Sequence, residues 1–389
     1  MIPYTDVTYW GVLLYPTLPT FLIAWGRRLR QAWIVLATAG MLFVQYSAER
    51  LIGGSGPVRE VTLVLGFALV QYCLATGLLL LRRRTNVRWT IWPAVVLTVI
   101  PLVASRLGTG LTGLGFLGIS YLTFRALDVL LGIHDGLIRE LSPGGYAAYM
   151  LFFPTVSAGP IDRYRRFVDD WLHARSRSEL LRDLDGAVHR IFTGFLYKFI
   201  LAELIRRYWM DPATTVPGVL ATVSYMYAYS LYLFFDFAGY TAFAVGVSYL
   251  FGVHPPENFR RPFLARDIRD FWNRWHISLS WWLRDHVYMR FAMTATRRHW
   301  FRDRYLASYS GFFLSMGLMG LWHGLEVHYL VYGLYHAALL TAHDLFSRWN
   351  KRYGLWGDGF VWHVAGVVVT VQFVCFGFLI FSGRFPLPS

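Results

Sequence analysis

The chain alternates long apolar runs with short clusters of charged residues. Eight stretches of roughly 20 residues contain no Asp, Glu, Lys or Arg, and about 20 apolar residues suffice for a transmembrane helix. These charge-free stretches are residues 7–26, 31–48, 61–81, 218–235, 237–253, 306–325, 327–343 and 360–383. Weaker candidates are residues 89–105, 111–131, 146–158 and 187–209. The pattern predicts an all-α, polytopic membrane protein with roughly ten to twelve transmembrane helices, some of them re-entrant.

Composition supports a membrane protein and excludes several other classes. Hydrophobic residues make up 56% of the 389 positions and charged residues only 15%, whereas soluble domains carry about 25% charged residues. The 16 Trp, 24 Tyr and 30 Phe suit positions at membrane–water interfaces. A soluble domain, a disordered chain, a coiled coil and a secreted disulfide scaffold are therefore excluded.

The net charge of +14 does not indicate nucleic acid as a partner. The basic residues stand in short clusters between apolar runs, which is typical of cytoplasmic loops that face anionic lipid. Clusters at 27–30 and 82–88 flank a loop of balanced charge at 49–60. This places the N-terminus outside and predicts a multi-pass protein of the cell membrane.

No internal repeat or linker divides the chain, so we expect one integral-membrane domain over residues 1–389. Within it, residues 1–110 would form N-terminal helices, 111–345 the core and 346–389 a C-terminal helix.

Residues 257–291 differ from the rest because they are dense in both charge and tryptophan. The spacing of apolar residues predicts one continuous amphipathic helix at the membrane. Trp275 lies on its apolar arc, Asn273 lies off the arc, and His276 lies at the edge, where a side chain can face a wet cavity.

A histidine also lies at the end of an apolar run. Residues 306–325 contain Gly317, Gly320 and Gly324, with Trp322 and His323 between the last two. Small residues four apart let helices approach closely, and polar groups within a membrane tend to mark functional sites. The alternative is a neutral histidine that hydrogen-bonds a carbonyl of the next helix.

Other polar positions suggest weaker hypotheses. His336 and His343 share a helix face, but the chain has no HExxH spacing and no ligand cluster, so we expect no metal site. The turn-forming segment 154–160, which contains Ser157, is either a plain turn or a broken helix that lines a cavity.

An apolar tip at 291–293 is followed by basic residues. Met293 with Arg297 and Arg298 suits docking of an acidic protein. A lipid-facing loop is the alternative.

Several strings resemble those of a known family. PENFRRPFLARDIRDFWNRWHISLSWWLRDHVYM at 256–289 and GLWHG at 320–324 resemble the membrane-bound O-acyltransferase (MBOAT) family. The strings at 152–167, 234–246, 288–291 and 331–337 (FFPTVSAGPIDRYRRF, FFDFAGYTAFAVG, YMRF and VYGLYHA) resemble its branch of D-alanyl transfer proteins, which act in teichoic-acid D-alanylation.

The resemblance implies a fold and a mechanism. It implies a ring of tilted helices with a central funnel and channel, His323 as the essential catalytic residue and His276 as the second one. Asn273, Trp275, Trp322 and Ser157 would support the site or line its channel. From the chemistry of acyl transfer, we expect His323 to act as general base and His276 to orient or polarise the donor.

The resemblance also implies partners. The donor would be D-alanine on the phosphopantetheine thioester of an acidic cytoplasmic carrier protein, with no tightly bound cofactor. The acceptor would be a cell-envelope polymer such as lipoteichoic acid. An extracytoplasmic protein, a small membrane peptide and membrane lipids would be further partners.

Three other functions stay open at this point. The nearest is O-acetylation of an exported polysaccharide, as in alginate-type O-acetylases. A transporter or flippase would show paired discontinuous helices and inverted repeats, which the sequence lacks. A binding scaffold would tolerate loss of both histidines.

Overall fold

The computed structural model describes residues 3–22, 26–47, 57–84, 90–107 and 115–385. Within these ranges the regular structure is helical, with no β-strand. The helices of the N-terminal half are α1 (Val7–Leu22), α2 (Arg27–Ser47), α3 (Pro57–Arg84), α4 (Ile91–Arg106), α5 (Ile119–His134), α6 (Pro143–Leu151), α7 (Tyr164–Leu172) and α8 (Arg177–Phe195). Those that follow are α9 (Ala202–Ile205), α10 (Asp211–Thr215), α11 (Val219–Leu250), α12 (Ile268–Trp272), α13 (Ile277–Leu283), α14 (Met289–Arg297), α15 (Arg304–His323), α16 (Val327–Tyr353) and α17 (Phe360–Phe381).

Three helices in the described part of the chain are long and apolar enough to cross a membrane. They are Val58–Arg84 within α3, the whole of α11 and the whole of α17, while α4 is a shorter apolar helix. The all-α membrane class predicted from the sequence is thus confirmed. The predicted total of ten to twelve spans stays a prediction. The loops at 49–60 and 82–88, which determine the predicted orientation, lie largely outside the described residues.

The predicted boundary between spans 218–235 and 237–253 is wrong. A single 32-residue helix, α11, covers both stretches. The charge that suggested the boundary, Asp236, forms an ion pair with Lys198. The Asp236 side chain is paired and 37% exposed, so its charge is not buried alone and the helix continues through it.

The described chain divides into two compact units. The first comprises residues 1–194 and 240–256, and the second comprises residues 195–239 and 257–389. In the first unit α5 packs against α3, α4, α6 and α7, and α2 packs against α3. In the second unit α15 packs against α14 and α16, and α17 packs against α16 and α12.

The first unit contains a buried ionic network. Arg30 at the start of α2 donates to backbone carbonyls that follow two other helices. These include the carbonyl of Gly252, after α11, at 3.1 Å and that of His173, after α7, at 2.8 Å. The His254 ring lies 2.8 Å from Asp183 and 3.5 Å from Asp170. These two carboxylates raise the pKa of His254 to about 9, so the ring is charged at neutral pH and cross-links α7 to α8.

The segment 154–160 is largely buried: a short 3₁₀ helix, Phe153–Thr155, is followed by turns. Fully buried Arg125 of α5 donates to the Thr155 carbonyl at 2.8 Å and to that of Tyr149 at 2.8 Å. Tyr4 donates to the Pro154 carbonyl at 3.1 Å. These long-range bonds satisfy backbone carbonyls that no helix satisfies, as irregular backbone inside a membrane protein requires.

In the second unit α15 and α16 touch backbone to backbone. A methyl group added at Gly320 would lie 2.3 Å from the Tyr329 carbonyl oxygen, and one at Gly333 would lie 2.3 Å from that of Met316. At Gly317 the nearest atom would be a Leu334 methyl at 3.9 Å. The close approach predicted from the glycine spacing therefore occurs at Gly320, next to the C-terminal end of α15.

We expect Gly320→Ala to destabilise the fold, because the new methyl group forces the two backbones apart. Overpacking of this kind costs about 1–3 kcal/mol. The matched control is Gly317→Ala on the same helix, which has room and gains up to about 1 kcal/mol of helix propensity. Thermal unfolding of the purified variants in detergent checks this; equal midpoints for the two variants would contradict it.

Candidate active site

The Trp-rich segment 257–291 is broken, so its prediction as one continuous helix is wrong. Helix α12 ends at Trp272, α13 begins at Ile277, and a π-helical turn over 284–288 precedes α14. Between α12 and α13 the chain turns sharply at His276, which has φ 42° and ψ 52°. This left-handed conformation costs a non-glycine residue about 1–3 kcal/mol unless its surroundings hold it in place.

Asn258 holds this turn from a distant part of the sequence. Its carbonyl accepts from the Ile277 amide at 2.9 Å, and its side-chain oxygen accepts from the Ser278 hydroxyl at 2.6 Å. The Arg260 amide donates to the Arg274 carbonyl at 3.0 Å. Asn258 is fully buried. The loop before α12 thus forms hydrogen bonds with residues before and after His276.

The imidazole of His276 is buried among aromatic rings. The Phe237 ring lies 4.8 Å away, centroid to centroid, nearly perpendicular to it. Neither ring nitrogen of His276 has a hydrogen-bond partner within the described part of the chain. A buried imidazole costs free energy when its polar atoms are unpaired, so a site that retains one is a candidate for ligand binding.

His323 is the last residue of α15, beside the close contact at Gly320. Its half-buried ring lies 4.9 Å from Phe381, and the rings of Tyr329 and Tyr332 lie 6.2 and 6.4 Å away. Gly324 then adopts an extended conformation, φ −177°, and ends the helix. His323 thus lies at a helix terminus that α16 and α17 enclose.

The structure brings the two sequence-predicted histidines together. The indole ring of Trp322 lies 6.3 Å from His276 and 4.7 Å from His323. The two imidazoles also interact electrostatically. They come from segments 47 positions apart in sequence, and they meet because the His276 turn and the end of α15 share the same aromatic pocket.

The other residues expected at the site differ in burial and in their contacts. Trp275 is buried, with Phe378 at 4.7 Å and Phe259 at 5.0 Å. Asn273 is exposed and donates to the Arg269 carbonyl of its own helix. Ser157 is buried in the first unit, where its hydroxyl lies 2.8 Å from that of Tyr240. The roles predicted for these three residues stay predictions.

The residues expected to dock a carrier protein lie on and just after α14, which is a helix rather than the predicted tip. Met293, Arg297 and Arg298 are exposed. Met293 and Arg297 border a surface groove of about 320 Å³, which is also lined by Tyr288, Met289, Ala292, Thr296 and Ser308. An apolar floor with a cationic rim is thus present at this position.

His336 is fully buried, and neither ring nitrogen has a partner within the described residues. Its ring packs against Tyr332 at 4.7 Å and Trp272 at 5.1 Å. Among the residues that the structure describes, no group of three or more His, Cys, Asp or Glu side chains is arranged to hold a metal ion.

Comparison with known proteins identifies the family of this chain. The model of the membrane-bound O-acyltransferase (MBOAT) family matches residues 72–384. The chain belongs to the MBOAT family. It is accordingly an acyltransferase of the membrane, and the family match spans both His276 and His323.

Individual relatives refine the comparison. The teichoic acid D-alanyltransferase of Bacillus subtilis (strain 168) is 42% identical over 99% of this chain and 98% of the relative. That of Streptococcus thermophilus (strain ATCC BAA-250 / LMG 18311) is 39% identical over 78% of this chain and 77% of the relative. A Pseudomonas syringae pv. tomato protein named "Probable alginate O-acetylase AlgI" is 30% identical over 67% of this chain and 48% of the relative.

Sequence reasoning missed Asn258. We expect Asn258→Ala to lower acyl transfer by about 100-fold, because misplacing a reacting group by about 1 Å can cost that much. The variant should still purify as a folded protein, since the aromatic packing around the turn is unchanged. Initial transfer rates beside gel-filtration profiles check this; a folded variant with the wild-type rate would show that Asn258 does not position His276.

Proposed function

We propose that this protein transfers D-alanyl groups from a phosphopantetheine thioester on a cytoplasmic carrier protein to a cell-envelope polymer of the teichoic-acid type. One observation carries the acyl-transfer chemistry: two imidazoles, His276 and His323, lie near the same indole ring, that of Trp322. Similarity to two teichoic acid D-alanyltransferases, one of them over nearly the whole chain, supports D-alanine as the acyl group.

His323 acts as the general base in this proposal. The acceptor hydroxyl must lose its proton as it attacks the thioester carbonyl, and an imidazole is the side chain most often used for this. A half-buried ring at the end of α15 is reachable by substrate.

His276 orients or polarises the donor. Its ring is more deeply buried than that of His323 and has two unpaired nitrogens, so a ligand that enters the pocket can satisfy one of them. The left-handed turn and its bonds to Asn258 fix the ring, as preorganised electrostatic stabilisation requires.

The donor needs a docking surface, and the α14 groove suits one. Acyl carrier proteins are acidic, and electrostatic complementarity guides such encounters. Met293 supplies the apolar anchor, while Arg297 and Arg298 supply the positive charge. On the other side of the membrane an extracytoplasmic protein and a small membrane peptide would assist delivery to the polymer.

O-acetylation of an exported polysaccharide is the second candidate. The alginate O-acetylase relative supports it, but it matches less of this chain at lower identity. Purified protein supplied with D-alanyl-loaded and acetyl-loaded carriers separates the two. Transfer of the D-alanyl group supports the proposal, and exclusive transfer of acetyl groups would contradict it.

We expect His323→Ala to lower the rate of acyl transfer by about 10²–10⁴-fold, because it removes the general base. The matched control is His363→Ala, which alters an exposed histidine in the first turn of α17 and should leave the rate unchanged. Discharge of the loaded carrier by each purified variant gives the measurement. Wild-type turnover by the His323 variant would rule out the assigned role.

We expect the double reversal Arg297→Glu and Arg298→Glu to weaken carrier binding, with the largest loss at low salt, because salt screens attraction between exposed charges. The control reverses Arg177 and Arg182, an exposed basic pair of α8. Binding titrations at two salt concentrations check this. Unchanged affinity at low salt for the α14 variant would remove the docking surface from the proposal.

A further inference from the structure

Tyr332 of α16 belongs to the same aromatic pocket as His323. Its ring lies 6.4 Å from the His323 ring at an interplanar angle of 80°. Phe381 and His336 hold the ring in place, with centroids at 5.1 and 4.7 Å. The whole side chain is 2% exposed, so its orientation is fixed by packing on every side.

The phenolic hydroxyl of Tyr332 has no hydrogen-bond partner within the described residues. Some other tyrosines of this fold donate hydrogen bonds to backbone carbonyls. Tyr335, which follows Tyr332 by three residues on the same helix, donates to the Phe373 carbonyl at 2.9 Å. In the first unit, Tyr149 donates to the Asp162 carbonyl at 2.9 Å. A buried hydroxyl usually has a partner, and a bound substrate would supply one to Tyr332.

The position of Tyr332 follows from the close contact of α15 and α16. The next residue, Gly333, lies so near α15 that an added methyl group would come within 2.3 Å of the Met316 carbonyl. The contact at Gly320 fixes the other end of the same interface. Tyr332 therefore cannot move away from the end of α15, and its distance from His323 is set by backbone contact.

We propose that Tyr332 is a catalytic residue of the acyl transfer, and that its hydroxyl donates a hydrogen bond to the oxyanion formed when the thioester carbonyl is attacked. The inference rests on the proposed function, because it needs His323 as the base at this site. It adds a hydroxyl donor to the ring nitrogens of the two histidines.

The reaction balances with these groups. The acceptor oxygen bonds to the carbonyl carbon while His323 takes the hydroxyl proton, and the carbonyl oxygen becomes an oxyanion that accepts from Tyr332. The oxyanion then reforms the carbonyl, the carbon–sulfur bond breaks, and the proton on His323 passes to the sulfur. An ester and a free thiol result, and the Tyr332 hydroxyl keeps its proton throughout.

Neighbouring tyrosines make the pocket polar without competing for this role. Tyr229 of α11 interacts electrostatically with Tyr332 and also with Tyr329. The rings of Tyr329 and Tyr332 lie within 6.5 Å of the His323 ring. Tyr332 is buried, whereas Tyr329 is only partly buried. A desolvated donor stabilises an oxyanion more than a wet one does.

The test compares Tyr332→Phe with Tyr335→Phe in purified protein supplied with D-alanyl-loaded carrier. Both variants lose one hydroxyl from the same helix and keep the ring. We expect kcat of Tyr332→Phe to fall by about 10²–10³-fold, as on loss of one oxyanion donor, with KM for the carrier unchanged. Tyr335→Phe should retain a kcat close to wild type.

Three results would overturn the proposal: a wild-type kcat for Tyr332→Phe, equal losses in both variants, or a rise in KM with kcat unchanged. Incorporation of 3-fluorotyrosine at position 332 tests rescue, because this residue restores the hydroxyl donor that phenylalanine lacks. We expect kcat to recover, and failure to recover also counts against the proposal. The acetyl-loaded carrier is run in parallel. If the wild type discharges only that carrier, the D-alanyl assignment fails while Tyr332 is judged on the acetyl reaction. If it discharges neither, both fail.

Discussion

The contact between the backbones of α15 and α16 is the constraint on which the candidate site depends. Glycines at 320 and 333 let each helix touch a carbonyl of the other. Without side chains at these two positions, the end of α15 lies against the first turns of α16. His323 is thereby enclosed by Tyr329, Tyr332 and Phe381, and the backbone contact fixes the distances between these rings and His323. In an apolar environment such van der Waals contact replaces the hydrophobic effect as the force that joins helices.

The second part of the site is a turn rather than a helix. His276 occupies a left-handed conformation that only surrounding bonds can maintain. The loop that carries Asn258 supplies those bonds, and aromatic side chains fill the remaining space. The result is a rigid aromatic pocket with few polar atoms, each of them a ring nitrogen or a hydroxyl. Chemistry in such a place depends on preorganised donors and acceptors, since little water is available to rearrange.

Sequence reasoning identified the class of the protein and both histidines, because apolar run length, glycine spacing and an intramembrane imidazole are local signals. It failed where partners are distant in sequence. Asp236 looked like a boundary between spans because its partner Lys198 lies 38 positions away. The apolar periodicity over 257–291 looked helical because nothing local shows that Asn258 stabilises a turn at His276. A signal for Asn258 was present, since Asn and the nearby Pro255 and Pro256 favour a turn, but its bonds to Ile277 and Ser278 depend on the folded chain.

The central claim is that His276 and His323 lie in a single pocket, and distance-dependent cross-linking tests it most directly. In a background with Cys73 and Cys375 replaced, the pair His276→Cys and His323→Cys is treated with a bifunctional thiol reagent about as long as an indole ring is wide. The account predicts an intramolecular cross-link in the double variant, detected as a linked peptide by mass spectrometry. Labelling of both thiols without any cross-link would contradict it.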